Sequence, residues 1–294
     1  MRFLRIAWRG TELALHLALG AFALPLLRHV PAARAEAFVP WWYRRACAVL
    51  RLRVRRFGAP TPLPALYAAN HVSWLEVIAL GSVRQLGFVA KSEVSGWPLI
   101  GSLAGAAGTL FLRRGSARAA ARSVRAAVER IAGGGSVCVF PEGTSTSGET
   151  VLPFKASLFE AAALLGCAVQ PVAVSYPRPD GGEPVAPFIG DDDFFSHLLR
   201  VLAAEEIVVE LSFAPAFEGH GRHRSELTEA AWRAVSAALA GRLEAARTHS
   251  FEPPEVVPML WWDSVDYGGF VRAEYRRPSL LGDRAEGAHA EQGA

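Results

Sequence analysis

The chain has 294 residues, of which 51% are apolar and 20% are charged, and it carries a formal net charge of +3. A chain of this length can bury a full hydrophobic core in one domain, or in one domain with an appendage. The apolar share is high for a soluble enzyme but too small for a membrane protein with several spans. The basic balance suits an anionic surface, and nucleic acid and anionic lipid both meet that description.

The N-terminal segment contains an uncharged, apolar run over residues 13–27, with arginines on both sides of it. As a helix this run is about 22 Å long, which is short of the ~30 Å hydrocarbon core of a bilayer. Arginines on both flanks indicate no direction of crossing. The run therefore predicts a helix that lies in one leaflet or dips into it. A cleaved signal peptide is the alternative, because Ala33-Arg34-Ala35 resembles a small-x-small cleavage site.

A second N-terminal stretch pairs aromatic with cationic side chains, since Trp41, Trp42 and Tyr43 precede Arg44 and Arg45. This pairing is typical of the headgroup zone of a membrane. Aromatic residues of an ordinary core would give the same pattern. We predict that residues 1–48 form membrane-associating helices.

Beyond residue 50, short apolar runs alternate with helical stretches. The predicted strands cover residues 51–55, 66–69, 87–90, 109–112, 137–140, 168–175 and 207–213. The predicted helices cover residues 74–80, 117–131, 156–165 and 225–248, and three aspartates at 191–193 predict a helix N-terminus at Phe194. This alternation predicts the α/β class, with a mixed, largely parallel sheet flanked by helices. Residues 251–294 form a C-terminal extension whose polar tail we expect to be disordered.

The cysteines and histidines give little sign of a disulfide scaffold or a metal site. Cys47, Cys138 and Cys167 have no CxxC spacing and no even-numbered framework, so we expect reduced, packed thiols. His220 and His223 have i,i+3 spacing but lie in a loop rich in Gly and Arg, which favours a solvated loop. We predict no metal.

The first group of residues with chemical potential is His71 with Glu76. His71 lies between a predicted strand and a predicted helix, where α/β proteins place reactive groups. A carboxylate in the first helical turn can fold back to the imidazole, hold one ring nitrogen protonated and leave the other free to accept a proton. The competing interpretation is a capping box, in which Glu76 reaches back only to the Ser73 amide.

Three further motifs follow in chain order. Residues 108–114, Gly-Thr-Leu-Phe-Leu-Arg-Arg, end a strand on two guanidinium groups, which suit recognition of phosphate or carboxylate. Residues 140–145, Phe-Pro-Glu-Gly-Thr-Ser, lead a strand into a turn where backbone amides and a carboxylate can face one pocket. Residues 169–172, Val-Gln-Pro-Val, form an apolar strand interrupted by proline. Each motif alone is a weak indication of function, and the specific signal is the order of all four along the chain.

In this order the four motifs resemble the glycerolipid acyltransferase family, which includes the 1-acylglycerol-3-phosphate acyltransferases. The family pattern NHxSxxD corresponds to residues 70–76, GxxFxxR to residues 108–114, FPEG to residues 140–143 and VxPV to residues 169–172. The segments around Lys91 and Lys155 are similar to the bacterial branch that includes the lyso-ornithine-lipid acyltransferases. One departure is Glu76, which stands where the family usually has Asp.

The resemblance implies an O-acyltransferase domain over residues 49–250. It would move a fatty acyl chain from acyl-CoA or an acylated carrier protein to the hydroxyl of a lysolipid, at the cytoplasmic face of the inner membrane. It implies His71 as general base, with Glu76 steadying the imidazolium, and Arg114 as the headgroup ligand. The other residues implied in substrate binding are Asn70, Ser73, Lys91, Gly108, Phe111, Phe140, Pro141, Glu142, Gly143 and Thr144.

The implied partners are membrane lipids, the lysolipid and any carrier protein that delivers the acyl chain, with no nucleic acid and no resident cofactor. Two other classes of function fit parts of the pattern. A lipid or thioester hydrolase would use a similar pocket with water as acceptor, although the GxSxG elbow of serine hydrolases is missing from the sequence. A non-catalytic membrane-binding protein would use the N-terminal helices but has no need of His71, Arg114 and Glu142 together.

Overall fold

Two N-terminal helices precede an eight-stranded sheet that carries the remaining helices on its faces. The computed structural model describes residues 2–27, 32–112, 117–177 and 184–248. The predicted C-terminal extension at 251–294 and the Arg113-Arg114 pair lie outside these ranges.

The helices are α1 (Arg2–Leu27), α2 (Ala32–Leu50), α3 (Leu75–Val83), α4 (Ile100–Ala106), α5 (Ala117–Ala132), α6 (Phe159–Leu165), α7 (Phe194–Ala203) and α8 (Arg224–Thr248). The strands are β1 (Leu52–Phe57), β2 (Ala65–Ala69), β3 (Gly87–Lys91), β4 (Leu110–Leu112), β5 (Val137–Val139), β6 (Ala168–Ser175), β7 (Ile207–Phe213) and β8 (Phe217–Glu218). Short 3-10 helices span Ser92–Gly96 and Ala156–Leu158.

The sheet is mixed and largely parallel, which confirms the predicted α/β class. Its strand order is β1-β7-β6-β2-β5-β3-β4, and β8 pairs with β6. Among the described strands β7 and β8 run antiparallel to β6, and the other pairs are parallel. In particular β6, β2 and β5 run the same way side by side, so the chain segments that follow these three strands emerge at one edge of the sheet.

Strand β2 lies at the centre of the core, with every residue fully buried. Tyr67 and Ala69 face one cluster of apolar side chains, and Leu66 and Ala68 face the other. Burial on both faces is the usual condition of a strand within a parallel sheet. The loop that begins at Asn70 therefore leaves the sheet from a strand that is packed on both sides.

Most predicted elements beyond residue 50 are found within one or two residues of their predicted ends. Helix α7 begins at Phe194 as predicted, and the Asp193 carboxylate caps it by accepting from the Ser196 amide at 2.9 Å. The prediction did not include helix α4, because its sequence, Ile-Gly-Ser-Leu-Ala-Gly-Ala, combines two glycines with a short apolar pattern. The three cysteines are free and buried, as predicted.

Helix α1 corrects the prediction for the N-terminus. It begins at Arg2 instead of residue 13, and its 26 residues give a helix about 39 Å long. Two of the arginines that precede the apolar run have partners in the fold, and of these Arg5 donates to the Ala203 carbonyl at 2.9 Å. The Arg9 guanidinium is buried and donates to the backbone carbonyls of Leu202, at 3.1 Å, and Ala204 at the carboxyl end of α7. None of the helices in the described ranges combines the length and apolarity needed to cross a bilayer.

The contact between α1 and α2 contains a buried histidine. The His16 ring stacks on the Trp42 indole, with centroids 3.6 Å apart and planes 15° apart. Its Nε2 atom has no hydrogen-bond partner. Burial, with a smaller contribution from Arg45, lowers the pKa of His16 to about 4.

This buried histidine predicts a loss of stability in mild acid. The pKa of histidine in an unfolded chain is about 6.5. The titration of His16 therefore leaves the free energy of unfolding unchanged above that pH and lowers it as the pH falls toward about 4. At about pH 5 the cost is about 2 kcal/mol. His16→Phe keeps a stacking ring that cannot titrate, so urea unfolding at about pH 7 and pH 5 should show a smaller acid loss. His220→Phe, at an exposed loop position, should keep the wild-type acid loss, and an equal loss in all three proteins would contradict the prediction.

Candidate active site

Part of the predicted site comes together where three parallel strands end, and Tyr176, which was not predicted, lies there too. His71 follows β2, the Phe140–Gly143 turn follows β5, and Tyr176 follows β6. Loops at the carboxyl ends of parallel strands are where open α/β sheets bind ligands. His71 is half-buried there, with its imidazole stacked on the Phe140 ring at a centroid distance of 4.4 Å.

The His71 ring is oriented by Glu76, as the spacing predicted. Its Nδ1 atom lies 2.7 Å from Oε1 of Glu76, whose side chain is fully buried. An ionised carboxylate can only accept, so this contact places the ring proton on Nδ1. The other ring nitrogen, Nε2, has no hydrogen-bond partner in the described part of the chain and is left as a proton acceptor.

Glu76 also holds the loop that carries His71. Its Oε1 accepts from the amides of Val72 at 2.7 Å and Ser73 at 2.8 Å, and Oε2 accepts from the Ser73 amide at 2.8 Å. Glu76 therefore does both things that were predicted as alternatives: it accepts from the loop amides and it contacts the His71 ring. The capping box is incomplete, because the buried Ser73 hydroxyl has no hydrogen-bond partner. Oε2 has one further donor, the Tyr176 hydroxyl at 2.7 Å.

Glu142 is a second buried carboxylate beside His71, and it contacts backbone. Its Oε1 accepts from the His71 amide at 2.7 Å, and its Oε2 accepts from the Leu152 amide at 2.9 Å. Burial raises the pKa of Glu142, the two amide donors and His71 oppose that rise, and the charge of Glu76 adds to it. The observed contacts fix the position of the His71 backbone, whereas the resemblance implied a headgroup contact.

Asn70 also contacts backbone. Its Nδ2 donates to the Val174 carbonyl at 2.9 Å, and its Oδ1 accepts from the Val174 amide at 2.7 Å. This pair of bonds extends the β2–β6 ladder by one step through a side chain. On the other side of the loop, the Thr146 amide donates to the His71 carbonyl at 2.9 Å. The His71 main chain is thus held by β6, by Glu142 and by the segment after β5.

The turn after β5 brings a cation close to the site. Pro141 is buried, Thr144 is exposed, and Gly143 has a φ of +74°, which favours glycine. A Cβ atom at Gly143 would lie 2.6 Å from Nζ of Lys155, so glycine makes room for that ammonium. Lys155 is anchored through its amide, which donates to the Pro141 carbonyl at 2.9 Å. The segment around Lys155 was part of the family resemblance, but the sequence analysis predicted no role for Lys155 itself.

The remaining predicted residues lie two or three strands away, at the β3–β4 edge. Lys91 is exposed at the end of β3, and Phe111 lies in β4 beside an open cavity of about 540 Å³ between β4 and α5. Gly108 has a φ of +87°, and a Cβ atom there would collide with the Arg130 guanidinium, so its role in the fold is close packing. Arg114 lies outside the described residues.

The arrangement is one that can accept a proton, as general-base catalysis requires. A carboxylate fixes the tautomer of a half-exposed imidazole, and the free ring nitrogen lies at the ligand-binding edge of an α/β sheet. The described residues contain no cluster of three or more side chains able to hold a metal ion.

Comparison with known proteins identifies the family. The family model described as Acyltransferase matches residues 54–175. The chain is 40% identical over 256 residues to the lyso-ornithine lipid O-acyltransferase of Pseudomonas aeruginosa, which covers 84% of this chain and 98% of that protein. It is 35% identical over 175 residues to the 1-acyl-sn-glycerol-3-phosphate acyltransferase of Neisseria gonorrhoeae, which covers 58% of this chain and 69% of that protein. This chain belongs to the acyltransferase family, and the predicted family and class of enzyme are confirmed.

A solved structure shares the fold. The crystal structure of the 1-acyl-sn-glycerophosphate acyltransferase from Thermotoga maritima aligns with a TM-score of 0.65 over 83% of this chain and 98% of that one. The identity in that alignment is 21%, so the likeness concerns the fold.

The double role of Glu76 gives a test of the site. Glu76→Gln keeps the length of the side chain and one carbonyl acceptor for the capping amides, but it removes the charge that fixes the His71 tautomer and stabilises its protonated form. We expect the rate of acyl transfer to fall by about 10²- to 10⁴-fold, while thermal unfolding shows that the variant is still folded. A variant that is folded and as active as wild type would leave Glu76 with a capping role alone.

Proposed function

We propose that this chain moves a fatty acyl chain from a thioester donor, acyl-CoA or an acylated carrier protein, to the hydroxyl of a lysolipid. The observation that carries the proposal is the His71–Glu76 pair, with Nδ1 engaged and Nε2 free. The similar proteins, a lyso-ornithine lipid O-acyltransferase and a 1-acyl-sn-glycerol-3-phosphate acyltransferase, support this class of acceptor.

In the proposed reaction Nε2 of His71 takes the proton of the lysolipid hydroxyl as its oxygen attacks the thioester carbonyl. Glu76 stabilises the imidazolium that forms. The tetrahedral intermediate then expels the thiolate, the C–S bond breaks, and the imidazolium returns the proton to sulfur. An ester and a free thiol are the products, so no oxidant, reductant or covalent acyl-enzyme is required.

We propose lyso-ornithine lipid as the acceptor to test first, because lyso-ornithine lipid O-acyltransferases of three bacteria match 73% to 84% of this chain. The acceptor would be held by its acidic groups. Arg114 and Lys91 are the proposed headgroup ligands. The Gly143 amide, which was expected to join them, donates to the Phe140 carbonyl at 3.1 Å instead. Glu142 enters this proposal indirectly, through the backbone of His71.

A panel of acceptors tests both the reaction and its base. Purified protein is incubated with acyl-CoA or acylated carrier protein and with lyso-ornithine lipid, lysophosphatidic acid or no acceptor, and the acylated products are measured. We expect transfer with at least one lysolipid, and a loss of at least about 10³-fold in His71→Ala. Release of free fatty acid at the same rate with and without lysolipid would show hydrolysis. Full turnover in a folded His71→Ala protein would exclude the proposed base.

We propose that the protein works on the cytoplasmic face of the inner membrane, where these donors are made, and that α1 is the part that binds the lipid surface. Five of the six exposed large apolar side chains described on α1 recur on one side of the helix, at Leu4, Trp8, Leu15, Leu19 and Phe22, and Phe3 lies outside this set. Spacings of three, four and seven residues place the five in one stripe. A separate face of α1, about 100° away around the helix axis, buries Arg9 and His16 against the protein.

Vesicle flotation tests this membrane contact. The triple variant Trp8→Ser, Leu15→Ser, Phe22→Ser should bind vesicles of anionic and zwitterionic phospholipid at least about 100-fold more weakly, because each apolar side chain contributes ~1.5 kcal/mol or more. Leu164→Ser is a matched control, since Leu164 on α6 is 64% exposed and Leu15 is 66% exposed. The control should bind like wild type, and unchanged binding of the triple variant would exclude α1 as the contact.

A further inference from the structure

Tyr176 lies outside the four sequence motifs, and its side chain contacts the carboxylate of the catalytic pair. It is the first residue after β6, and the family model ends one residue before it, at Ser175. Its hydroxyl donates to Oε2 of Glu76 at 2.7 Å, across a separation of 100 residues in the sequence. Parallel pairing of β6 with β2 brings it there, because both strands end at the same edge of the sheet.

The donors to Glu76 fall into two groups. The His71 ring and the amides of Val72 and Ser73 all belong to the loop that Glu76 itself caps. The Tyr176 hydroxyl comes from the sheet. Bonds within the loop fix the carboxylate relative to the loop alone. The tyrosine is therefore the contact, within the described residues, that ties the carboxylate directly to the β6 side of the core.

We propose that Tyr176 is a positioning residue for the acyl-transfer reaction, which fixes the rotation of the Glu76 carboxylate and thereby allows Glu to stand where the family usually has Asp. This inference rests on the proposed function, because it concerns the same base. The extra methylene of Glu lengthens the side chain by about 1.5 Å, and the Tyr176 hydroxyl donates to Oε2, which also accepts from the Ser73 amide of the loop.

The environment keeps Tyr176 as a donor. Burial, and then the charge of Glu76, raise the pKa of Tyr176 well above 10. The other titratable groups around the pair are His71, Glu142, Cys47 and Cys138, and burial raises the pKa of both thiols. Both cysteines are therefore uncharged at neutral pH. The charged groups near the imidazole are the two carboxylates, and the Lys155 ammonium lies beside Gly143 in the turn after β5.

Tyr176→Phe removes the hydroxyl and keeps the ring. We expect kcat to fall by about 10- to 100-fold, the range for a lost hydrogen bond to a charged group, with KM for the lysolipid changed by less than about 3-fold. A carboxylate without this donor binds the imidazolium more strongly, so the acid limb of kcat/KM should move to higher pH. Tyr67→Phe is the matched control, because the hydroxyl of that buried tyrosine donates to the Thr61 carbonyl instead. It should leave both kcat and the acid limb unchanged.

A double-mutant cycle separates positioning from a general effect on the fold. In a Glu76→Asp background the shorter carboxylate cannot use the Tyr176 donor, so adding Tyr176→Phe should change kcat by less than about 3-fold. Equal losses in the wild-type and Glu76→Asp backgrounds would overturn the proposal, and so would wild-type kcat with an unmoved acid limb in Tyr176→Phe.

A second measurement tests the role of Tyr176 even if the Tyr176→Phe protein folds poorly or the proposed function is wrong. Replacing Tyr176 by 3-fluorotyrosine keeps the ring and strengthens the donor, so the acid limb should move to lower pH. The titration of the His71 ring, followed by NMR, should move in the same direction without any substrate. Absence of acyl transfer by the wild type would reject the proposed function alone, whereas an unmoved His71 titration in the fluorinated protein would reject the role of Tyr176.

Discussion

The geometry of the site depends on the burial of one carboxylate. Moving an ionised carboxylate out of water costs several kcal/mol unless donors replace the lost hydration. Glu76 is fully buried, and it is surrounded by an imidazole N–H, two backbone amides and a phenol hydroxyl. Each donor that stabilises the carboxylate is also fixed by it. The loop conformation, the ring orientation of His71 and the approach of β6 are consequences of this one requirement.

The two buried carboxylates contact different parts of His71. Glu142 accepts from the backbone of His71, and Glu76 accepts from its ring. Two buried carboxylates repel each other, which appears as the rise that Glu76 contributes to the pKa of Glu142. A positive charge on His71 acts in the opposite direction on Glu142. In the proposed mechanism His71 becomes positively charged when it takes a proton, so the charge forms between two carboxylates that attract it.

The sequence predicted the parts of this site that are local and missed the parts that depend on strand order. The five-residue spacing of His71 and Glu76 predicts their contact because both lie in one strand–loop–helix unit. The bonds of Asn70 to Val174 and of Glu76 to Tyr176 span 104 and 100 residues. They exist because β6 lies beside β2, and alternating apolar runs predict strands without predicting which strands are neighbours. The family resemblance placed Asn70 and Glu142 among the substrate-binding residues, and their partners in the structure are backbone groups.

The contacts of α7 link this site to the lipid-facing proposal for α1. The Trp74 indole, within the catalytic loop, donates to Nδ1 of His197 in α7 at 3.0 Å, and Nε2 of His197 lies 3.2 Å from the Ala186 carbonyl. Burial lowers the pKa of His197, so the ring stays neutral and can accept from the indole. At its other end α7 is capped by Arg9 of α1. A short, continuous series of polar contacts thus joins the loop that holds His71 to the helix with the exposed apolar stripe. Because these bonds are directional, they fix the orientation of the base relative to that stripe, which a purely apolar contact would leave free to slide.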